Sequence, residues 1–281
     1  EIILLGNAIT HLYFGMNSVL RSASKPRHAM YATMFTVVLN TILDPLFIWT
    51  FGLGIRGAAY ATVLSQFVAL IWQFWIFSNP KELIRLKRGI YSLRGDLVKN
   101  IIGIGISPFS MNVCACMVVI FINNQLVRFG GDMSVGAFGI ANRIVFIFVM
   151  FVMGINQGMQ PIAGYNYGAQ KLDRMMQVVK LSIIAATAIM ILGWFLAMLV
   201  PRQCVSLFTT DQHLIDTTVH GMRRMMVMLP IVGYQMVITN FFQCIGKVKI
   251  SIFLSLSRQL LFLLPSLALL PIWFGLDGVW L

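Results

Sequence analysis

One acidic side chain lies where a carboxylate is costly. The chain contains nine Asp and Glu residues. Eight of them lie near loops, at the ends of apolar segments or at a terminus, whereas Asp44 lies deep inside an apolar segment. A charged carboxylate at the centre of a bilayer costs roughly 2.5–3.5 kcal/mol on insertion scales, and it is usually retained for a cation partner or for proton transfer. Asp44 is therefore the first candidate functional residue.

Other polar side chains share a helix face with Asp44, because residues three or four apart lie on one side of a helix. The face consists of Thr33, Thr36, Asn40 and Asp44, at spacings of three, four and four residues. Pro45 follows, and because it has no N–H it cannot donate to the carbonyl oxygen of Thr41. Carboxylate, amide, hydroxyl and carbonyl oxygens are hard ligands that suit Na⁺ or a transferable proton. The alternative role is structural, with Asp44 paired to one of the two deep cations, Arg143 or Arg258.

The elements that hold these residues are predicted to be membrane-spanning helices. The chain is 58% hydrophobic and 11% charged, whereas a soluble domain carries about 25% charged residues. The apolar residues fall in segments of about 20, the length of a transmembrane helix. We predict an all-α polytopic membrane protein with eight spans and the start of a ninth near Asp277. The spans are residues 1–20, 29–51, 57–78, 100–127, 134–160, 179–200, 221–244 and 250–273.

The basic residues predict the orientation of the spans. Most of the 21 Lys and Arg residues fall in alternate connections, and such connections are typically cytoplasmic. The predicted cytoplasmic loops are residues 21–28, 81–99, 171–180 and 247–249. We expect the bacterial plasma membrane as the location and membrane lipid as a partner, with the basic 81–99 segment on the anionic inner leaflet. The net charge of +12 is explained by topology, so no nucleic-acid partner is expected.

An internal repeat predicts the architecture of the parent protein. Ser24-Lys25-Pro26-Arg27 recurs about 222 residues later as Gly246-Lys247-Val248-Lys249, and the phrase at 54–59 recurs at 275–280. The repeated spans are six apart, so both copies have the same orientation, as in a parallel repeat. We expect two pseudo-symmetric six-helix lobes, of which this chain is an internal fragment lacking about three N-terminal spans and most of the last one. Its parts would be the second half of an N-lobe (1–80), a cytoplasmic linker (81–99) and a C-lobe (100–281).

Two motifs resemble those of multidrug and toxic compound extrusion (MATE) transporters. The run from Gln157 to Gln170 resembles the phrase that closes the eighth span of that family, and Asn40, Asp44 and Pro45 resemble its fifth-span pattern. The first motif is carried by Gln157, Gln160, Pro161, Asn166 and Gly168.

The resemblance implies a function and a set of site residues. It implies efflux of bulky, apolar, often cationic drugs, driven by Na⁺ or H⁺ through alternating access. The cation site of the family carries over to Asn17, Asn40, Asp44 and Thr62, supported by Thr36 and Pro45, while its first-span Asp belongs to the spans that this fragment is expected to lack. Spans 100–127 and 221–244 lack the acids that some members use, which favours coupling in the N-lobe. No enzymatic activity, resident cofactor or metal beyond Na⁺ is expected, and we expect a monomer.

Two alternatives stay open. A related flippase for lipid-linked saccharides could share the helix count and the repeat, and it would need several arginines or lysines in a central cavity; Arg143 and Arg258 are the only deep ones here. A receptor or channel is less compatible with the sequence, because a seven-span receptor lacks the six-span repeat and no pore-lining filter is visible. Nucleophile triads and phosphate-binding loops are absent from the sequence.

Overall fold

The computed structural model describes residues 2–79 and 94–280, and every regular element in these two ranges is helical. The first range contains α1 (Ile2–Ser22), α2 (Pro26–Pro45), a π-helical stretch (Leu46–Thr50) and α3 (Gly54–Phe77). The second contains α4 (Gly95–Gly168), α5 (Leu172–Leu199), α6 (Pro201–Ser206), α7 (Gln212–Met225), α8 (Leu229–Cys244), α9 (Val248–Leu256), a π-helical stretch (Ser257–Leu263), α10 (Leu264–Phe274) and α11 (Leu276–Trp280).

The predicted all-α membrane fold is confirmed by the length and hydropathy of these helices. Single helices of spanning length are α1, α3 and α5, and the two helices that contain π-helical stretches, Pro26–Thr50 and Val248–Phe274, are also long and apolar enough to cross a bilayer. The 74 residues of α4 exceed what one crossing of about 20 residues needs. At Gly131 the backbone leaves the helical region, with φ 68° and ψ −173°. This glycine therefore separates the two predicted spans that α4 contains.

One predicted span is broken in the structure. Residues 221–244 are predicted as one span with a kink at Pro230, and in the structure they belong to α7 and α8, which together make one broken span and are bent by 55° relative to each other. Pro230 lies in the first turn of α8, where its missing N–H is tolerated, whereas inside a continuous helix it would remove a hydrogen bond. The chain therefore ends one helix at Met225 and begins another at Leu229.

Three turns on the predicted cytoplasmic side share one backbone geometry. In each, a residue with positive φ precedes a lysine whose N–H donates to the carbonyl oxygen five residues earlier, as in a Schellman motif. The pairs are Ser24-Lys25 (φ 60°, Lys N–H to Leu20 O 3.0 Å), Gln170-Lys171 (φ 58°, to Asn166 O 2.9 Å) and Gly246-Lys247 (φ 77°, to Phe242 O 2.9 Å). Two of these turns are the pair that the sequence repeat singled out.

The far ends of the two repeat copies also match. Gly54 and Gly275 both have positive φ, at 54° and 58°. Three residues later in each copy a glycine lies against backbone: a Cβ on Gly57 would lie 2.7 Å from the Phe47 carbonyl oxygen, and one on Gly278 would lie 2.3 Å from that of Leu270. The sequence repeat therefore has a counterpart in the backbone at both ends.

The helices form two compact units, divided at Arg94. In the first unit α3 packs on α1 and α2 around small residues such as Ala61 and Ala69, which are fully buried and let membrane helices approach closely. In the second unit α5 packs on α4 and α8, and Gly233 lies against the backbone of Ala186. The assignment of residues 1–80, 81–99 and 100–281 to parts of two six-helix lobes stays a prediction. Most of the predicted linker lies outside the described residues.

Candidate cation site and polar network

The carboxylate of Asp44 accepts a hydrogen bond from its own helix. Asn40 Nδ2 donates to Asp44 Oδ1 over 3.2 Å, and both residues are half-buried. No Lys or Arg within residues 2–79 forms an ion pair with this carboxylate. Within residues 2–79 the charge of this carboxylate is therefore not neutralised by an ion pair.

The backbone beside Asp44 is irregular. Pro45 ends α2, and the π-helical stretch Leu46–Thr50 continues the same span. The N–H of Phe51 reaches back five residues to the carbonyl of Leu46 (3.0 Å), and that of Leu53 reaches back six to Phe47 (3.2 Å). Single π-helical turns occur frequently at functional sites, because they loosen the regular hydrogen-bond ladder. The carboxylate thus lies at a point where the helix can change its hydrogen bonding at low cost.

A second polar cluster joins α1 to α2. Asn17 Nδ2 donates to the Ala29 carbonyl oxygen (3.0 Å) and to Thr33 Oγ1 (3.3 Å). Thr36 Oγ1 donates to the Tyr13 hydroxyl (3.2 Å), which itself lies 3.5 Å from Thr33 Oγ1. Tyr13 and Asn17 are both only 3% exposed. The polar face predicted on α2 therefore contacts polar side chains of α1.

The structure brings together some of the predicted site residues and separates others. Asn40 and Asp44 are in contact. Asn17 binds near Thr33, which is eleven residues before Asp44, or about 16 Å along the helix. Thr62 Oγ1 donates within its own helix to the Ala58 carbonyl (2.9 Å), so its oxygen can still accept or coordinate. A role in ion binding stays a prediction for all four.

Two residues of this network were missed in the sequence. Neither Tyr13 nor Thr10 stands out from the apolar span that contains them. Thr10 Oγ1 donates to Gln66 Oε1 over 2.6 Å. The signal was present: Gly6, Thr10, Tyr13 and Asn17 follow one another at spacings of four, three and four along α1, which places them on one face.

The family-motif residues of α4 contact a neighbouring helix and the turn that follows the end of α4. Gln160 Nε2 donates to Asn240 Oδ1 of α8 (3.0 Å). Asn166 Nδ2 donates to the Ile162 carbonyl (2.8 Å), and its own carbonyl accepts the N–H of Lys171. Pro161 lies inside α4 and Gly168 ends it, while Gln157 is exposed. Asn156, one residue before the motif, is 3% exposed, and neither polar atom of its amide has a hydrogen-bond partner in the structure.

In the second unit polar side chains join helices to one another, and no Asp or Glu lies within the predicted spans of residues 94–280. Ser107 and Ser251 hydroxyls lie 3.1 Å apart, and Ser251 Oγ donates to the Thr239 carbonyl (3.1 Å). The predicted outer end carries an ion-pair cluster in which Arg224 and His220 both contact Asp277. Arg258 lies within the π-helical stretch Ser257–Leu263. The deep charges of the two units are thus of opposite sign.

Comparison with known proteins identifies the family. The MatE family model matches residues 106–267, more than half of the chain. The chain belongs to the MATE family. This confirms the resemblance seen in the sequence. Members of the family are transporters, and with its several apolar helices the chain is a multi-pass protein of the bacterial plasma membrane.

Individual relatives agree over nearly all of the chain. It is 25% identical over 279 residues to the multidrug export protein MepA of Staphylococcus aureus (strain MSSA476), and 25% identical to MepA of Staphylococcus haemolyticus. Each alignment covers 99% of this chain and 61% of the relative. The chain therefore spans about three fifths of the length of these relatives.

Solved structures with the same fold include transporters in defined states. A MOP superfamily transporter from Pyrococcus furiosus, described as having a binding pocket of reversed polarity and a suggested different function, superposes with a TM-score of 0.92 at 26% identity. An outward-facing multidrug resistance MATE transporter superposes with a TM-score of 0.89, also at 26% identity. Both alignments cover 99% of this chain and 63% of the other.

Proposed function

We propose that the full-length protein is a secondary active multidrug antiporter, which exports bulky, apolar, often cationic compounds in exchange for Na⁺ or H⁺ by alternating access. The observation that carries the proposal is the Asn40–Asp44 pair next to Pro45 and a π-helical stretch, in which the carboxylate has no cation partner among residues 2–79. The similarity to proteins named multidrug export proteins supports the drug substrate class.

The coupling step follows from the charge of Asp44. In the outward-facing state Na⁺ or H⁺ reaches the carboxylate and neutralises it. The hydrogen bond from Asn40 to an ionised carboxylate is charge-assisted and stronger than one to a neutral carboxyl group. Neutralisation therefore weakens the hydrogen bond between Asn40 and Asp44 in the last turns of α2, and the adjacent π-helical stretch can repack. That repacking is the change that would release the drug outside.

Na⁺ and H⁺ make different demands on Asn40. The amide presents its NH₂ group to Asp44, and a metal cation is repelled by such a donor. Na⁺ binding at Asp44 therefore requires the Asn40 amide to rotate and present its oxygen, whereas protonation of the carboxylate requires no rotation. Replacing Asn40 by Asp keeps an oxygen at that position, and replacing it by Leu removes one.

The membrane potential supplies enough energy for drug accumulation outside. One charge moving inward across 100 mV releases about 2.3 kcal/mol. This free energy corresponds to about a 50-fold concentration ratio for one-to-one exchange of a neutral drug. For a neutral drug one coupling ion is therefore sufficient, whereas one-to-one exchange for a monovalent cationic drug moves no net charge and draws only on the concentration gradient of the ion.

The test is drug extrusion by the full-length protein in proteoliposomes, first with a Na⁺ gradient and then with a pH gradient. We expect one of the two gradients to drive extrusion and Asp44→Asn to abolish it. The matched control is Asp132→Asn, an exposed acid beside the Gly131 break in α4, which should extrude like the wild type. Gradient-driven extrusion that survives in Asp44→Asn would reduce Asp44 to a structural residue.

A flippase for lipid-linked saccharides is the second candidate, and Arg258 is the observation that favours it. This cation lies in mid-span, in a π-helical stretch, and a guanidinium suits a pyrophosphate better than a cationic drug. The discriminating assay follows translocation of a lipid-linked saccharide in the same proteoliposomes, with Arg258→Gln as the variant. Translocation that depends on Arg258, without drug extrusion, would replace the antiporter proposal.

A further inference from the structure

Two hydrogen bonds between helices lie at equivalent positions of the two repeat copies. The offset of about 222 residues that relates the turns of the repeat also relates the helix pair α1–α2 to the pair α8–α9. In the first copy Asn17 Nδ2 donates to the carbonyl oxygen of Ala29 over 3.0 Å. In the second copy the residues at these positions are Thr239 and Ser251, and Ser251 Oγ donates to the carbonyl oxygen of Thr239 over 3.1 Å. The same two positions are therefore joined in both copies, with the donor on opposite helices of the pair.

A second contact lies further from the connecting turn in each helix pair. In the first copy the Tyr13 hydroxyl accepts a hydrogen bond from Thr36 Oγ1 over 3.2 Å. The position equivalent to Tyr13 in the second copy is Gln235, whose Nε2 donates to the carbonyl oxygen of Leu254 over 3.1 Å. Polar side chains hold neighbouring membrane helices together in this way. Each helix pair is therefore joined at two levels on the side of its connecting turn.

The second copy separates this pairing from ion binding. The predicted spans of residues 94–280 hold no Asp or Glu, so the bond between Thr239 and Ser251 cannot serve a membrane carboxylate. In the first copy both hydrogens of Asn17 Nδ2 are used, by the Ala29 carbonyl oxygen and by Thr33 Oγ1. Asn17 is 3% exposed and Ala29 is 2% exposed, so their own unit already covers them. Closing the α1–α2 pair is therefore a sufficient role for Asn17.

The contacts with α1 divide α2 into two parts. The last of them is made by Thr36, and beyond it no side-chain hydrogen bond joins α2 to α1 within residues 2–79. Asn40 donates to Asp44 in the same helix, and Thr41 Oγ1 donates to a carbonyl oxygen of the same helix. The π-helical stretch Leu46–Thr50 follows. The first part of α2 is therefore fixed to α1, while the part that carries Asp44 has side-chain hydrogen bonds only to its own helix.

We propose that Asn17 and Tyr13 are positioning residues for the candidate cation site and do not bind the ion. Their contacts hold the part of α2 up to Thr36 against α1. A change in the charge of Asp44 then moves only the remainder of α2 and the π-helical stretch, where the helix changes its hydrogen bonding most easily. The inference rests on the proposed function, because it takes Asp44 as the coupling carboxylate, and it names the residues that anchor the moving part.

The second copy supplies the variant that tests this role. Asn17→Val removes every donor and every oxygen of the side chain. Asn17→Val/Ala29→Ser moves the donor to α2, because a serine hydroxyl there can donate to the backbone carbonyl of position 17, as Ser251 does to that of Thr239. The measurements are ion-driven drug extrusion by the full-length protein in proteoliposomes, the unfolding temperature, and amide hydrogen exchange along α2.

We expect Asn17→Val to slow extrusion about fivefold and to lower the unfolding temperature by roughly 2–4 °C, the effect of losing interhelical hydrogen bonds. The double variant should recover both. In the wild type residues 26–36 should exchange about tenfold more slowly than residues 40–50, and Asn17→Val should accelerate only the first part. The matched control is Ser18→Ala, whose lost hydroxyl contacts only residues of α1, and it should extrude drug like the wild type.

Other outcomes overturn the inference. A double variant with the unfolding temperature of the wild type but without ion-driven extrusion would show that the Asn17 side chain is itself required at the ion site. Equal exchange in the two parts of α2 would show that the first part is not anchored. If the wild type extrudes no drug under either gradient, the proposed antiporter fails, and hydrogen exchange still decides the anchoring. Acceleration in Asn17→Val that Ala29→Ser reverses supports it, and an unchanged rate overturns it.

Discussion

The contact between Gly57 and the π-helical stretch is a sharp test of how α3 supports the candidate cation site. Gly57 lies in the first turn of α3, and its Cα faces the backbone of Phe47, which belongs to the stretch directly after Asp44 and Pro45. A Cβ at this position would lie 2.7 Å from both the carbonyl carbon and the carbonyl oxygen of Phe47. Those neighbours are backbone atoms, so no side-chain rotation can relieve the clash.

The size of the effect of Gly57→Ala follows from these distances. Carbon atoms in contact prefer about 3.5–4.0 Å, so α3 and the stretch must separate by almost 1 Å. Overpacking of this kind costs about 1–3 kcal/mol. Alanine favours the helix over glycine by at most about 1 kcal/mol, and less so close to a helix end. The net change in the free energy of unfolding is therefore a loss of about 1–2 kcal/mol.

The assay compares the unfolding temperature and drug extrusion of the full-length Gly57→Ala variant with those of Gly15→Ala. Gly15 lies inside α1, and a Cβ there would have no neighbour within 4 Å, so alanine should leave stability unchanged or raise it by up to about 1 kcal/mol. We expect Gly57→Ala to unfold at a lower temperature and to extrude drug more slowly under an ion gradient. A Gly57→Ala protein as stable and as active as Gly15→Ala would refute the close contact and its role in supporting Asp44.

Three further predictions test individual contacts. The Gln73 side chain is fully buried and neither of its amide atoms has a hydrogen-bond partner in the structure, so Gln73→Leu should raise the free energy of unfolding by about 1–3 kcal/mol, visible as a higher unfolding temperature; a decrease would reveal a partner or a bound ligand. Tyr13→Phe and Thr36→Val remove the two partners of one hydrogen bond of 3.2 Å, and a double-mutant cycle should give a coupling of about 0.5–1.5 kcal/mol; additive effects would contradict the contact. Burial raises the pKa of the Cys204 thiol, so less reactive thiolate is present near neutral pH, and maleimide labelling should be slow at pH 7 and accelerate above pH 9. The exposed position Ser206 on the same helix provides the control as Ser206→Cys in a Cys204→Ser background, and equally fast labelling of both thiols at pH 7 would contradict the burial.

The membrane spans could be predicted because their signal is local and strong. An apolar segment of about 20 residues predicts a crossing without any knowledge of its neighbours. The Gly130-Gly131 break inside α4 was also visible, since glycine adopts positive φ easily. The bend between α7 and α8 is indicated by Pro230 and not by hydropathy, which continues across it. What ends α7 is the backbone geometry before Pro230, and hydropathy does not record it.

The same distinction applies to the candidate site. Asn40 and Asp44 are four residues apart on one helix, so their contact follows from helical geometry. The contacts of Asn17 with Ala29 and Thr33 depend on how the α1–α2 hairpin is closed. That closure places Asn17 well away from Asp44, and spacing within either helix could not reveal it. Tyr13 was missed because a tyrosine in an apolar span has the same hydropathy signal as a packing residue.

The two repeat copies are alike in backbone and opposite in charge. Each begins at a positive-φ residue followed by lysine, contains a π-helical stretch, and reaches a glycine pressed against the backbone of its own copy. In the first copy the stretch follows the carboxylate of Asp44, whereas in the second it contains the guanidinium of Arg258. An arginine stays protonated at any physiological pH, so only the π-helical stretch of the first copy lies beside a side chain whose charge Na⁺ or H⁺ could neutralise. In the proposed antiporter the same backbone geometry would thus respond to a bound cation in the first copy and not in the second. For this reason ion coupling in the proposed antiporter is assigned to α1–α3, and Arg258→Gln should leave the choice of coupling ion unchanged while Asp44→Asn abolishes coupling.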